Sequence, residues 1–196
     1  GGAYYWRWQS DPAPTYIGGK GANAVSDDGS VIAGYITDPS GATTKTVAGR
    51  WTQATGWVPL GAEMSLASCG GSFSSTWDMS ADGSIIVGGT WTGLCTGSAF
   101  MWDATNGVRL LELLGNGGNR PRAISADGLT IVGFAQGNSA RTLAYWDPSD
   151  QTGVVPDMDD LGEYWGVSDD GRFFVGGRQG HAFFEEDGIE TDIGNL

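Results

Sequence analysis

The sequence predicts an all-β protein, a β-propeller of four complete four-stranded blades preceded by an N-terminal half blade (four to five blades), in one domain spanning residues 1–196. Three observations predict it. One phrase recurs at Asn23–Gly34, Asp78–Gly88, Ala123–Gly133 and Gly166–Gly176, and its turn glycines, Gly29, Gly83, Gly128 and Gly171, are 54, 45 and 43 residues apart. A self-similar step of that size marks an array of equivalent supersecondary units. Each copy carries an Asp-Gly pair between a small-residue stretch and a β-branched or aromatic run, a strong hairpin signal because both residues tolerate positive φ. No stretch longer than about two turns shows a 3.6-residue apolar period, Val108–Leu114 coming nearest.

Taken in order, residues 1–19 form the half blade, and the blades cover about 20–61, 62–115, 116–162 and 163–196. In the first full unit, Ala22–Ser26 (strand a) turns at Asp27-Asp28-Gly29 into Ser30–Ile36 (strand b). A run through Thr46–Thr52 (strand c) and then Gly56–Gly61 (strand d) follow. Later units repeat the plan. Strand b reads Ser84–Trp91, Leu129–Gln136 and Arg172–Gln179; strand c reads Ser98–Asp103, Thr142–Asp147 and His181–Glu186; strand d reads Val108–Gly115, Val154–Gly162 and Ile189–Asn195. Four-stranded antiparallel units of this length, each covering its neighbour's apolar face, describe a propeller. The strand c aromatics Trp51, Trp102, Trp146 and Phe184 are then expected to pack between blades.

The last unit carries a family signature. Gly180-His181-Ala182-Phe183-Phe184, followed by Asp187-Gly188-Ile189-Glu190-Thr191-Asp192-Ile193-Gly194, resembles the HAF repeat of bacterial extracellular proteins, which is similar in layout to kelch blades. Elsewhere the triplet becomes Ser98-Ala99-Phe100, Leu143-Ala144-Tyr145 and Ala48-Gly49-Arg50. The resemblance covers nearly the whole chain, implies a secreted propeller-like module, and brings no catalytic residues.

Composition sets bounds. With 34 glycines among 196 residues and 40% apolar residues, many short strands joined by tight turns around a buried core are expected. Asp and Glu number 23 against ten Lys and Arg, only Lys20 and Lys45 being lysines, for a net charge of −13. Such a balance argues against nucleic acid and anionic lipid as partners and is compatible with divalent cations and neutral glycans. No run of about 18 apolar residues exists, so membrane insertion is not expected. A start at Gly1-Gly2-Ala3, with neither initiator Met nor signal n-region, fits a processed or excised product.

The half blade reads as strands c and d without a and b. Three explanations stand side by side: upstream strands were removed, the half blade is covered within one molecule, or its open edge pairs with another copy. The aromatic edge Tyr4, Tyr5, Trp6 and Trp8 favours self-association into a homo-oligomer or filament. Cys69 and Cys95 fall on loops that emerge on one face of an up-and-down blade. They are expected to form a disulfide, which places the chain in an oxidising, extracellular or cell-surface setting.

Candidate sites follow from the repeat. If strand a is innermost, Asp28, Asp82, Asp127 and Asp170 ring one mouth of the central channel; turn preference explains them, and a calcium site helped by Asp27 and Asp169 is the sharper alternative. Asp157, Asp159 and Asp160 resemble the start of an EF-hand loop but lack its later ligands. Trp77, Trp91 and Trp165 fall outside the strand c pattern and form a candidate glycan platform. The lone histidine, His181, has no second metal-binding histidine, and Gly19–Ala24 fits a dinucleotide fingerprint without the helix that its chemistry needs. Carboxylates are plentiful, yet no pair is singled out for glycoside hydrolysis; Glu63 and Glu163 are the non-repeated candidates. The expected function is a non-catalytic, structural or adhesive surface module, with a carbohydrate-binding propeller as the alternative.

Overall fold

The computed structural model describes residues 2–7, 9–41, 45–62, 74–91, 96–137, 140–156 and 161–195. Their secondary structure is entirely strand and turn. Strands β1 (Ala3–Tyr5) and β2 (Thr15–Gly18) pair as a two-stranded half blade. Blade I holds β3 (Gly21–Val25), β4 (Val31–Thr37), β5 (Thr46–Thr52) and β6 (Gly56–Pro59). Blade II holds β7 (Ser74–Met79), β8 (Ile85–Trp91), β9 (Gly97–Asp103) and β10 (Gly107–Leu110). Blade III holds β11 (Asn119–Ile124), β12 (Ile131–Gln136), β13 (Arg141–Trp146) and β14 (Gly153–Val154). Blade IV holds β15 (Gly162–Val167), β16 (Phe173–Arg178), β17 (His181–Glu186) and β18 (Ile189–Asn195). Every sheet is antiparallel in sequence order, as a β-propeller of four blades and a half blade requires.

The recurring phrase is explained atom by atom. In the first copy Ser26 Oγ donates to Asp28 Oδ1 at 2.7 Å and accepts from the Val31 N–H at 3.0 Å, while Asp28 Oδ1 also accepts from the Ser30 N–H at 2.9 Å. The same Ser-to-Asp bond recurs at Ser80–Asp82, Ser125–Asp127 and Ser168–Asp170. The turn glycines take φ of 69°, 67°, 76° and 72°, which L side chains resist. The glycines that close the phrase answer a different need. Each strand a bulges at Asn23, Trp77, Arg122 or Trp165, and the carbonyl two residues before the bulge leans over strand b. A Cβ at Gly34, Gly88, Gly133 or Gly176 would collide with the carbonyl oxygen of Gly21, Ser75, Arg120 or Glu163 respectively.

Successive blades stack with their a strands innermost, β3 against β7, β7 against β11 and β11 against β15. The a–b turns are joined near the axis: Asp27 N–H donates to the Ala81 carbonyl at 2.8 Å, Ala81 to Ala126 at 3.0 Å, and Asp127 to Asp169 at 3.2 Å. A second link runs from strand c to the next strand a, where the Ala48 N–H donates to Ser74 Oγ and the Ala99 N–H to Asn119 Oδ1, both at 2.8 Å. Between these polar seams lie the cores. Val31, Ala33 and Ala48 meet Met79, Ile86 and Phe100; Val87, Ala99 and Met101 meet Ile124, Ile131 and Trp146; Val132 and Leu143 meet Tyr164 and Phe183.

Two expectations are corrected. Trp51, Trp102 and Trp146 pair with Ile32, Ile86 and Ile131 and face the preceding blade. The residue at that place in blade IV is Glu185, opposite Phe174; Phe184 is one step earlier and points to the other face, because side chains alternate along a strand. Strand d is also shorter than expected in blades I, II and III, ending at Pro59, Leu110 and Val154, since the chain must leave the outer edge and cross to the next inner strand.

The half blade leaves a notch. A cleft of about 840 Å³ lies between Tyr5, Trp6 and Arg7 on one side and Ala22–Gly29 on the other, where strands a and b of a complete blade would sit. Ala22, Asn23 and Val25 of β3 are exposed as a result, whereas their counterparts Thr76, Trp77 and Met79 in β7 are buried or half-buried.

Candidate binding face

The propeller has a turn face, carrying the a–b and c–d turns, and a loop face, where the d–a and b–c connections emerge. On the turn face the four repeated aspartates are engaged in their own hairpins. The Ser30 N–H and then the Ser26 hydroxyl bring Asp28 down to about 2. Asp82 is lowered by Ser80 and the Ser84 N–H, and Asp170 by Ser168 and the Arg172 N–H. Turn chemistry accounts for aspartate at this place. Among the described residues, no three His, Cys, Asp or Glu side chains converge to hold a metal ion. Asp157, Asp159 and Asp160 lie outside the described residues.

The loop face is different in kind. A pocket of about 420 Å³ opens between blades I, II and III, walled by Tyr35, Trp77, Trp91 and Arg120. Trp77 is the bulge residue of β7, and the Arg120 guanidinium lies 4.9 Å from its ring centroid. Arg120, Arg122 and Arg141 also surround the buried Phe134 ring at 5.8, 5.6 and 4.4 Å. Blade IV supplies one carboxylate to this group: Glu163 accepts from Arg122 at 2.7 Å and from Arg141 at 2.9 Å. Burial pushes the Glu163 carboxyl up, but the hydrogen bonds and charges of the two arginines outweigh it and leave the group below its usual range. Burial, and then the like charges of Arg122 and Arg141, lower Arg120.

The structure brings two of the three platform tryptophans, Trp77 and Trp91, to one pocket. Trp165 occupies the same bulge position two blades on, half exposed and outside that pocket. Sequence reading missed Tyr35 and the arginines. The signal was present: once strand a is aligned on its bulge, the position before the bulge-flanking residue reads Gly21, Ser75, Arg120, Glu163, and the bulge itself reads Asn23, Trp77, Arg122, Trp165. These inner positions vary from blade to blade while the turn repeats.

The remaining candidates are dispersed. Tyr4 and Trp6 are 62% and 53% exposed, Tyr4 packing against Tyr16 at 5.3 Å and Trp6 bordering the notch; Tyr5 turns inward to Trp51 at 5.9 Å. His181 sits on an outer strand and meets Asp192 at 2.9 Å. Trp8, Glu63, Cys69 and Cys95 lie outside the described residues.

No protein-family model matches the chain, and no curated protein does. Solved structures do. TolB from Acinetobacter baumannii is similar at a TM-score of 0.58 and 17% identity, over 93% of this chain and 47% of that one. A protein assigned as TolB from Agrobacterium tumefaciens is similar at 0.66 and 13% identity, over 98% and 73%. The propeller domain of the Trilobed protease from Pyrococcus furiosus, which has an open velcro topology, is similar at 0.56 and 10% identity, over 89% and 58%. The chain thus spans about half the length of the first and somewhat more of the others. At these identities the likeness establishes the β-propeller fold alone.

Proposed function

We propose that this chain is a non-catalytic, extracellular or cell-surface propeller module with an adhesive role, which associates through the end faces of its arc with further propeller blades, a second copy of itself included. The observation that carries this reading is apolar surface at both ends. Tyr4, Trp6 and Tyr16 stand out from the half blade, and Val175 with the stacked pair Phe173–Phe184 lines the outer face of blade IV. Blade-on-blade contact is the established interface within this fold, and backbone links join its a–b turns. The Asp27 carbonyl occupies the place where Ala81 and Ala126 accept, and the Asp169 N–H the place where Ala81 donates. A heterologous contact of this kind propagates unless rotation closes it. The acidic, lysine-poor composition and the HAF-type layout support a secreted setting. Sedimentation velocity and electron microscopy across the micromolar range test the reading. Oligomers or rods that grow with concentration are expected, and particles that stay monomeric throughout reject it.

A second reading, a carbohydrate-binding propeller, is favoured by one observation: Trp77, Trp91 and Tyr35 share a single pocket on the loop face. A glycan array run with and without calcium tests it; binding lost in Trp91→Ala supports it, and no binding under either condition removes it.

A further inference from the structure

The walls of the loop-face pocket contain no aliphatic side chain and no acid among the described residues; beyond its aromatic rings they are made of serine, threonine, asparagine and glycine, together with Arg120. Hydroxyl and amide groups beside flat aromatic rings match sugar hydroxyls and sugar C–H faces. A volume of about 420 Å³ falls at the small-ligand end of known pockets.

Arg120 specifies the ligand further. It is half-buried and, among the described residues, forms no salt bridge: the Glu163 carboxylate bonds Arg122 and Arg141 and reaches Arg120 through its charge alone. A guanidinium drawn out of water is stable when an anion or a π face answers it. The Trp77 and Phe134 rings supply the π faces, which leave the planar donor fork unmatched. Arg122 and Arg141 keep the local potential positive in an otherwise acidic protein. A planar carboxylate fits that fork with two parallel hydrogen bonds, as a phosphate also does.

We infer that the pocket binds a uronic acid residue of an acidic polysaccharide, with Arg120 pairing with the carboxylate and the Trp91 and Tyr35 rings flanking the sugar. This rests on the glycan-binding reading of the same pocket and adds the class of sugar. The step is recognition only, with no bond made or broken.

Calorimetry with tri-galacturonate, its methyl ester and a sulfated trisaccharide that lacks uronic acid tests it on the intact chain. The acid is expected to bind at least about tenfold more tightly than the ester at low salt, the margin shrinking as salt screens the pair. Arg120→Gln should abolish the margin, Arg120→Lys should keep part of it, and Trp91→Ala should weaken acid and ester alike. An unchanged urea midpoint in each variant certifies the fold. Equal binding of acid and ester overturns the uronate inference and leaves the glycan reading standing. Preference for the sulfated sugar, or an acid preference that survives Arg120→Gln, also overturns it. Binding of none of the three removes both.

Discussion

The seam between blades III and IV and the outer face of blade IV are built from the same positions, and they differ in what lies beyond them. Ala33, Val87, Val132 and Val175 each sit seven residues after the turn serine of their blade. The first three are fully buried against the next blade, and Val175 is 44% exposed. Tyr145 and Phe184 are a second matched pair: Tyr145 lies across from Val132 and packs into the seam, while Phe184 lies across from Val175 on the open side. Burial here is therefore a property of the neighbour rather than of the residue. Stability in such an array is a sum of blade terms and nearest-neighbour terms, so equivalent side chains should carry unequal weight.

The sharpest way to break that comparison is to truncate the two adjacent phenylalanines of β17. Phe183 is buried in the seam, edge-on to Tyr164 at 5.7 Å, and Phe183→Ala should cost about 3–5 kcal/mol in chemical denaturation. Phe184→Ala should cost less than half of that. Should the two costs prove equal, the outer face of blade IV is covered in solution; a Phe184→Ala cost that then rises with protein concentration would assign the cover to a second copy.

The valine pair gives a smaller and cleaner contrast, since neither side chain carries a polar group. Val132→Ala should cost about 2 kcal/mol, from two lost methyl groups and the space they leave, and Val175→Ala should fall within about 0.5 kcal/mol. Matching values at dilute protein would deny that the free face is free. The turn serines rank next. Ser125 is fully buried, and Ser125→Ala removes its bond to Asp127 and strands the Thr130 N–H, at about 1–2 kcal/mol by thermal or urea unfolding. Ser168→Ala, at the more exposed turn of blade IV, should cost less.

The repeated parts of the molecule were legible in the sequence because one physical cause recurs four times. Ser, Asp and Gly build the turn, and the closing Gly makes room for a leaning carbonyl, so blades, strand order and half blade could all be read. Strand c register was legible only in part: an aromatic pair does not say which of Phe183 and Phe184 faces inward, and the alternation is set by pairing with β16. The candidate site was half legible. Trp77 and Trp91 stood out as tryptophans off the repeat, but nothing local links Arg120 to Trp77. That contact is made across a blade seam by a bulge, and a bulge shows only once the register of strand a is known.

Two aspartates carry the comparison between seam and exposed turn into pH, with opposite signs. Asp28 lies on the exposed turn beside the notch, and its hydrogen bonds bring it from 3.8 down to about 2. A carboxyl lowered on folding adds stability that is full above 3.8 and is lost as the pH falls toward about 2. The penalty of Asp28→Asn relative to the parent should therefore be smallest near pH 2 and grow until the pH passes 3.8. Asp78 lies in the seam between blades II and III, where burial raises it although it accepts from the Ile124 N–H at 2.9 Å. A carboxyl raised on folding costs stability progressively as the pH climbs above 3.8. Asp78→Asn, which keeps an acceptor for the Ile124 N–H, should gain on the parent over that same rise. Difference curves of urea midpoint against pH would show the two variants diverging in opposite directions. Parallel curves would mean that the seam desolvates Asp78 no more than solvent does Asp28, and the distinction between covered and open positions would lose its electrostatic support.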